Sequence, residues 1–140
     1  MTIRLATLND ASLATRMLLN FHAACDLPFD VTTAWALGLF RACVTDKDKI
    51  AIIKEDGGIL LGMIGPSLVG PFIQCLEIAW WVEPDKRGGS IKMLKMYEDW
   101  AIENGAKLIE VKSMHKFPET EKLYERLGYE PLEKSWVKTV

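Results

Sequence analysis

The chain has 140 residues, with 17 Lys and Arg against 19 Asp and Glu and a formal net charge of −2. That length suits one domain with its own core, expected over residues 1–140, and the near-neutral charge leaves no general footprint for nucleic acid. Cys25, Cys43 and Cys75 are odd in number and lack CxxC spacing, and His22 and His115 have no ligand spacing around them, so neither a disulfide framework nor a metal site is expected. No apolar run approaches a membrane span, and Met1-Thr2-Ile3-Arg4 opens no signal-like apolar block. The expected setting is reducing and cytoplasmic, without a membrane partner.

Ile3-Arg4-Leu5-Ala6 alternates and predicts a short strand. Thr7 or Asn9 then caps a helix whose apolar residues Leu13, Met17, Phe21 and Cys25 recur every four positions. Leu27-Pro28-Phe29-Asp30 interrupts it, and Asp30 caps a second helix through about Cys43, with Trp35, Leu39 and Cys43 on one face. Two apolar runs, 49–54 and 59–64, flank Glu55-Asp56-Gly57-Gly58 and predict a hairpin. A third strand runs from about Phe72 to Val82 and stops at Pro84.

The C-terminal third alternates helix and strand. Ile91, Leu94, Tyr97 and Ala101 share one face of a helix that Gly105 ends. Leu108-Ile109-Glu110-Val111 is a strand, Pro118 opens a short helix closed by Gly128, and Pro131 to Val140 forms a last hairpin or edge strand. The order β-α-α-β-β-β-α-β-α-β describes an α/β chain: a mixed, mostly antiparallel sheet with flanking helices and one β-α-β crossover.

Three places could carry chemistry. The turn Lys86-Arg87-Gly88-Gly89-Ser90 joins a strand to a helix start, where glycine backbone N–H groups and basic side chains suit a phosphate. An ordinary basic turn fits as well, and the turn matches neither a P-loop nor GxGxxG. Glu77 lies mid-strand among apolar residues, on the face of Ala79 and Trp81 by simple alternation. A carboxylate so placed is either paired with a cation or raised in pKa and able to take a proton near neutrality. Tyr124, between Leu123 and Leu127 on a short helix, could donate a proton or merely pack.

In order and spacing these pieces resemble the GNAT acetyltransferases, nearest to the small members of phages and environmental bacteria. Val82-Glu83-Pro84, Arg87-Gly88-Gly89, Glu98-Asp99-Trp100-Ala101, Gly105 and Leu123-Tyr124-Glu125-Arg126-Leu127-Gly128-Tyr129 carry the resemblance, which spans nearly the whole chain. It implies acetyl-CoA as co-substrate and no metal. Trp81 and Val82 would meet the pantetheine arm, and Lys86, Arg87, Gly88, Gly89, Ser90 and the N–H of Ile91 the pyrophosphate. Tyr124 would protonate the departing thiolate and Glu77 would serve as general base, with direct attack by a primary amine and no covalent role for Cys75. Phe21, His22, Leu27, Pro28 and Phe29 would line the acceptor pocket, and a homodimer is the expected assembly. A CoA-binding module without catalysis and a protein-interaction domain are the alternatives. One departure belongs to this sequence: Arg87 reaches Leu94 two residues sooner than the family pattern R-G-x-G-x-G-x-x-L-L. A helix starting earlier would turn Leu94 and Trp100 by about 200°, so the loop must absorb the loss.

Overall fold

The computed structural model describes residues 2–140, and its sheet grows outward from one tight turn. Strands β2 (Lys49–Lys54) and β3 (Gly58–Pro66) pair antiparallel from Lys54↔Gly58 to Lys49↔Met63. Gly57 turns the chain at φ +134°, a conformation that side chains rarely permit. The Lys54 ammonium is buried beside it, 2.7 and 2.9 Å from the two Asp56 carboxylate oxygens. Strand β1 (Ile3–Leu5) adds to β2, and β4 (Ile73–Val82) pairs antiparallel with β3. After the crossover helix α3 (Ile91–Glu103), β5 (Leu108–Glu110) joins β4 in parallel, giving the order β1-β2-β3-β4-β5.

Both faces of this sheet are covered, which is why β2 and β3 read as nearly continuous apolar runs. Helices α1 (Ala11–Cys25) and α2 (Thr33–Thr45) pack Met17, Leu18, Phe21, Phe40 and Cys43 onto Ala51, Ile53, Ile59, Leu61, Ala79 and Trp81. On the other face α3 sets Met93, Leu94, Tyr97 and Ala101 against Ile50, Ile52, Leu60, Cys75 and Val82. The alternation along β2 and β3 assigns each residue to its face. The short helix α4 (Thr120–Arg126) closes the described elements. No helix among the described residues is long and apolar enough to cross a membrane.

Several expectations need correction. Thr7 caps only a 3-10 turn, Leu8–Asp10, whose Asp10 carboxylate returns to the Thr7 N–H at 2.8 Å; α1 begins after it. Arg4 also grips Asp10 at 2.8 and 2.9 Å and holds its carboxyl down to about 2. Thr32, not Asp30, caps α2, because Thr32 is extended and its Oγ1 accepts the Trp35 N–H at 3.0 Å. The buried face of α2 is Ala36, Phe40 and Cys43; Trp35 lies about 100° from it and stays exposed. Ile91 is likewise exposed at the first turn of α3, and Met93 takes its inward place. Glu119, not Pro118, precedes α4 directly. Pro131–Val140 forms no strand: no backbone hydrogen bond among the described residues reaches it.

Gly62 marks the tightest approach between β3 and α3. A Cβ there would stand 2.6 Å from Cε1 of the fully buried Tyr97. Tyr97 cannot give way easily, since its hydroxyl donates to the Glu110 carbonyl at 2.8 Å. Gly62→Ala is therefore expected to destabilise the fold by about 1–3 kcal/mol in urea unfolding. Gly88→Ala, where a Cβ meets nothing within 4 Å, should leave the midpoint unchanged.

Candidate active site

The site exists because β4 and β5 part company. Their ladder runs only from Gln74↔Leu108 to Leu76↔Glu110, while β4 continues to Val82. Two buried side chains enter the gap. Glu77 Oε1 accepts the Lys112 N–H at 3.2 Å, and the Tyr124 hydroxyl donates to the Lys112 carbonyl at 2.9 Å. In an extended run the N–H and C=O of one residue point to the same side. Lys112 thus spends both groups on the two candidate catalytic side chains.

A bulge aims Glu77. The β3–β4 register pairs Leu61 with Ala79 but Gly62 with Glu77, leaving Ile78 as the extra residue. Ile78 packs with Ala79 on the α1 side, so Glu77 turns to the opposite face, that of Gly62. This corrects the simple alternation, which put Glu77 with Ala79 and Trp81. Burial pushes the Glu77 carboxyl up to about 7; the Lys112 N–H and ammonium pull it down by less. Tyr124, itself buried, is raised above its ordinary value, first by burial and then by the nearby Glu77 charge. A phenol so placed keeps its proton near neutral pH.

The turn at the mouth has the length its sequence demands. Leu94 is buried with α3 starting at Ile91, so the helix has not moved to meet the shortened loop. Gly89 adopts φ +78° to make the turn. Ser90 N–H bonds Arg87 O, Lys92 N–H bonds Gly89 O and Met93 N–H bonds Ser90 O, whereas no backbone acceptor among the described residues takes the N–H groups of Gly88, Gly89 or Ile91. The Arg87 guanidinium turns inward, with Nε donating to Val82 O at 3.1 Å and its carbon 5.1 Å over the Trp81 ring. Behind the mouth, Glu83 accepts from Asn20 Nδ2 at 2.6 Å and its N–H donates to Gly57 O at 2.9 Å.

Between these walls lies a cavity of about 360 Å³. Of the residues singled out from the sequence, it gathers Phe21, Glu77, Trp81, Val82, Arg87, Gly89, Ser90, Ile91 and Tyr124. Lys86, Gly88, His22, Leu27 and Phe29 lie outside its lining. Lys86 is exposed beside Asp85, and Leu27 packs against the α1–α2 core cluster. His22 sits edge-on to Phe21, Phe29 and Trp35, with ring centroids 5.5, 6.0 and 5.3 Å away, and burial lowers its pKa. Sequence reasoning missed Trp80 and the far wall, Lys112 to Leu123. No side-chain pattern could have announced Lys112, whose backbone does the work.

Three polar atoms on this lining are buried without a partner among the described residues: Trp80 Nε1, Trp81 Nε1 and Ser90 Oγ. Such atoms are rare in a closed interior and suit a polar ligand. With the open N–H groups of Gly88, Gly89 and Ile91 at a helix start, they fit the phosphate-bearing arm of a CoA thioester.

No protein-family model matches the sequence, and no curated protein matches it. Solved structures do. A ribosomal-protein-alanine N-acetyltransferase from Brucella melitensis superimposes with a TM-score of 0.74 at 20% identity, covering 100% of both chains. The chain has the GNAT acetyltransferase fold. A predicted acetyltransferase with acetyl-CoA, from Clostridium acetobutylicum, shares this fold with a TM-score of 0.76 at 14% identity, over 99% of this chain and 95% of that one. A transcriptional regulator from Bacillus halodurans matches over 99% of both chains, with a TM-score of 0.76 and 20% identity.

Glu77 makes the stability of this GNAT fold depend on pH in a definite direction. Its folded pKa, about 7, lies above the ordinary 4.5, so the folded state holds a proton that the unfolded chain releases. This contribution is fully present below about pH 4.5, declines as pH rises to about 7, and then levels off. The loss amounts to roughly 3 kcal/mol. Urea unfolding across pH 4.5–8 should show this fall in the wild type and a flatter profile in Glu77→Gln.

Proposed function

We propose that the chain transfers an acetyl group from acetyl-CoA to the primary amine of a small molecule or peptide. One observation carries the reading: a carboxyl poised near neutrality and a phenol that keeps its proton flank Lys112 on one cavity, with an anion-suited turn at its mouth. The fold shared with acetyltransferases supports it. Bound acetyl-CoA would supply the activated thioester.

This chain's residues then divide the work. The end of β4 at Trp81 and Val82 holds the arm, and the N–H groups of Gly88, Gly89 and Ile91 with Ser90 Oγ hold the phosphates. Arg87 leaves Val82 O to join them, which also frees that carbonyl for the arm. Glu77 Oε takes the proton from the incoming amine, directly or through water. Tyr124 Oη gives its proton to the departing sulfur, leaving the Lys112 carbonyl to do so. The apolar walls, Phe21, Met114 and Phe117 among them, keep bulk water away from both proton transfers. The three cysteines are free and buried, in keeping with a reducing, cytoplasmic setting. A CoA-binding module without turnover is the second reading, favoured by the inward set of Arg87, which fills part of the mouth.

Acetyl-CoA at ~100 times its Kd should stabilise the fold by ~2.7 kcal/mol, read as a thermal shift. Absence of any shift, and of displacement by CoA, would overturn both readings. With an amine panel and thiol release as the readout, Tyr124→Phe should lower kcat by ~10²–10⁴ with CoA affinity nearly unchanged. Unaltered turnover would return Tyr124 to a packing role, whereas no turnover by the wild type with any amine, alongside a CoA-dependent thermal shift, would favour the module reading.

The pH profile tests Glu77 separately. The base form predominates above about pH 7, so kcat/KM should rise through that value and then level off. Glu77→Gln should remove that limb. A limb that persists in the variant belongs to another group, such as the acceptor amine.

A further inference from the structure

We propose that the acceptor is a free aromatic α-amino acid, its carboxylate held by the Lys112 ammonium and its ring laid on Trp81. The inference rests on the acetyl-transfer reading above and names its second substrate. The charged residues lining the cavity are Glu77, Arg87, Lys112 and Glu119. Two already have tasks in that reading, Glu77 as base and Arg87 at the phosphates. The Lys112 ammonium has none. Among the described residues it forms no ion pair, whereas Lys54, Lys95 and Lys116 are held by Asp56, Asp99 and Asp26. A cation left free on a cavity wall suits an anion that the ligand brings with it.

The place of Lys112 beside the base sets where that anion sits. Its N–H lies 3.2 Å from Glu77 Oε1. Burial raises the Glu77 carboxyl, and the Lys112 ammonium acts against it, so that ammonium stands within electrostatic reach of the base. An amine poised on Glu77 must therefore carry its carboxylate close by, and the carbon that bears the amine is the nearest point of attachment. Unpaired, such a carboxylate would repel the ionised base; the Lys112 ammonium offsets that repulsion.

The remainder of the acceptor meets a flat apolar wall. Phe21 and Phe117 flank Trp81 with ring centroids 6.4 and 6.2 Å away, and Met114 packs on the same core cluster. The face of the Trp81 ring already holds a planar group, the Arg87 guanidinium, whose carbon lies 5.1 Å from the centroid. When Arg87 turns to the phosphates that face is uncovered, and an aromatic ring can stack where the guanidinium lay. Glu119 is the one carboxylate on this lining besides Glu77, so an acidic side chain is repelled there, while a basic one is costly to bury among three aromatic rings. In the transfer the N–C bond forms as the C–S bond breaks. The amine proton goes to Glu77 and the Tyr124 proton to the sulfur, leaving CoA and an N-acetyl amino acid.

Calorimetry on the CoA-loaded protein and thiol release from acetyl-CoA test the site and the transfer separately. L-Phenylalanine should bind the CoA-loaded protein about tenfold or more tightly than phenethylamine, L-alanine or L-phenylalaninamide, the last standing for a peptide N-terminus. Lys112→Met keeps the backbone groups that Glu77 and Tyr124 use and should erase the preference over phenethylamine. In turnover, the ratio of kcat/KM for L-phenylalanine to that for phenethylamine should fall about tenfold in this variant. A change in Glu77 itself would act on both amines and cancel in the ratio. Binding with this pattern but without thiol release would overturn acetyl transfer and leave the amino-acid site standing. Failure of the CoA-loaded protein to bind L-phenylalanine would overturn the proposal, even alongside turnover of other amines. Equal binding of L-lysine or L-phenylalaninamide would overturn it too, as would a ratio that Lys112→Met leaves unchanged.

Discussion

The parting of β4 from β5 beyond Leu76 is the constraint on which the rest of this structure depends. While the strands are paired, each backbone group in the gap has a partner; once they separate, the partners must be side chains or a ligand. Glu77 and Tyr124 take the two groups of Lys112. That bonding places a carboxyl and a phenol on one cavity without either touching a charged partner. The bulge at Ile78 follows the same logic, since without an extra residue Glu77 and Trp81 could not serve opposite faces of one strand.

Electrostatics at the site come from burial more than from charge pairing. Desolvation dominates the shifts of Glu77, Tyr124, Tyr97 and Tyr129 alike, and no fixed cation offsets it at Glu77 beyond the Lys112 ammonium. A proton is thereby easier to hold in this region than in water. Contrast Asp10 and Asp56, whose carboxyls are lowered by direct bonds to Arg4 and Lys54 and serve the frame alone. The same residue chemistry thus does two kinds of work according to whether a cation is within reach.

Much of the fold was legible because its signals are local. Gly57, Gly105 and Gly128 sit at positive φ where the sequence placed turns, and the hairpin, the crossover and the Met17-Phe21-Cys25 face of α1 follow from period and punctuation. What escaped was non-local. The bulge depends on how β3 and β4 align, which alternation within β4 cannot reveal. Trp35 and Ile91 look like core residues by hydropathy, yet one-residue differences in helical phase leave them exposed. Lys112 entered the site through its backbone, invisible in a side-chain alphabet. His22 and Phe29 looked like pocket residues from their neighbourhood, but pack edge-on to each other outside the cavity lining. Pro131–Val140 has the composition of a strand without a place in its own sheet.

The fastening of Glu83 carries a consequence for motion. Its side chain is tied to α1 through Asn20 and its N–H to the hairpin turn at Gly57, while Lys54 and Asp56 brace that turn from beneath. Helix α1 and the braced hairpin turn therefore hold the base of the mouth loop, so a movement of its Arg87 to Ser90 part would leave that base in place. Fluctuation there is the cheap, local kind that needs no opening of the core. Entry of the long thioester proposed above would then ask only these four residues to move, with the β-sheet behind them as a fixed wall.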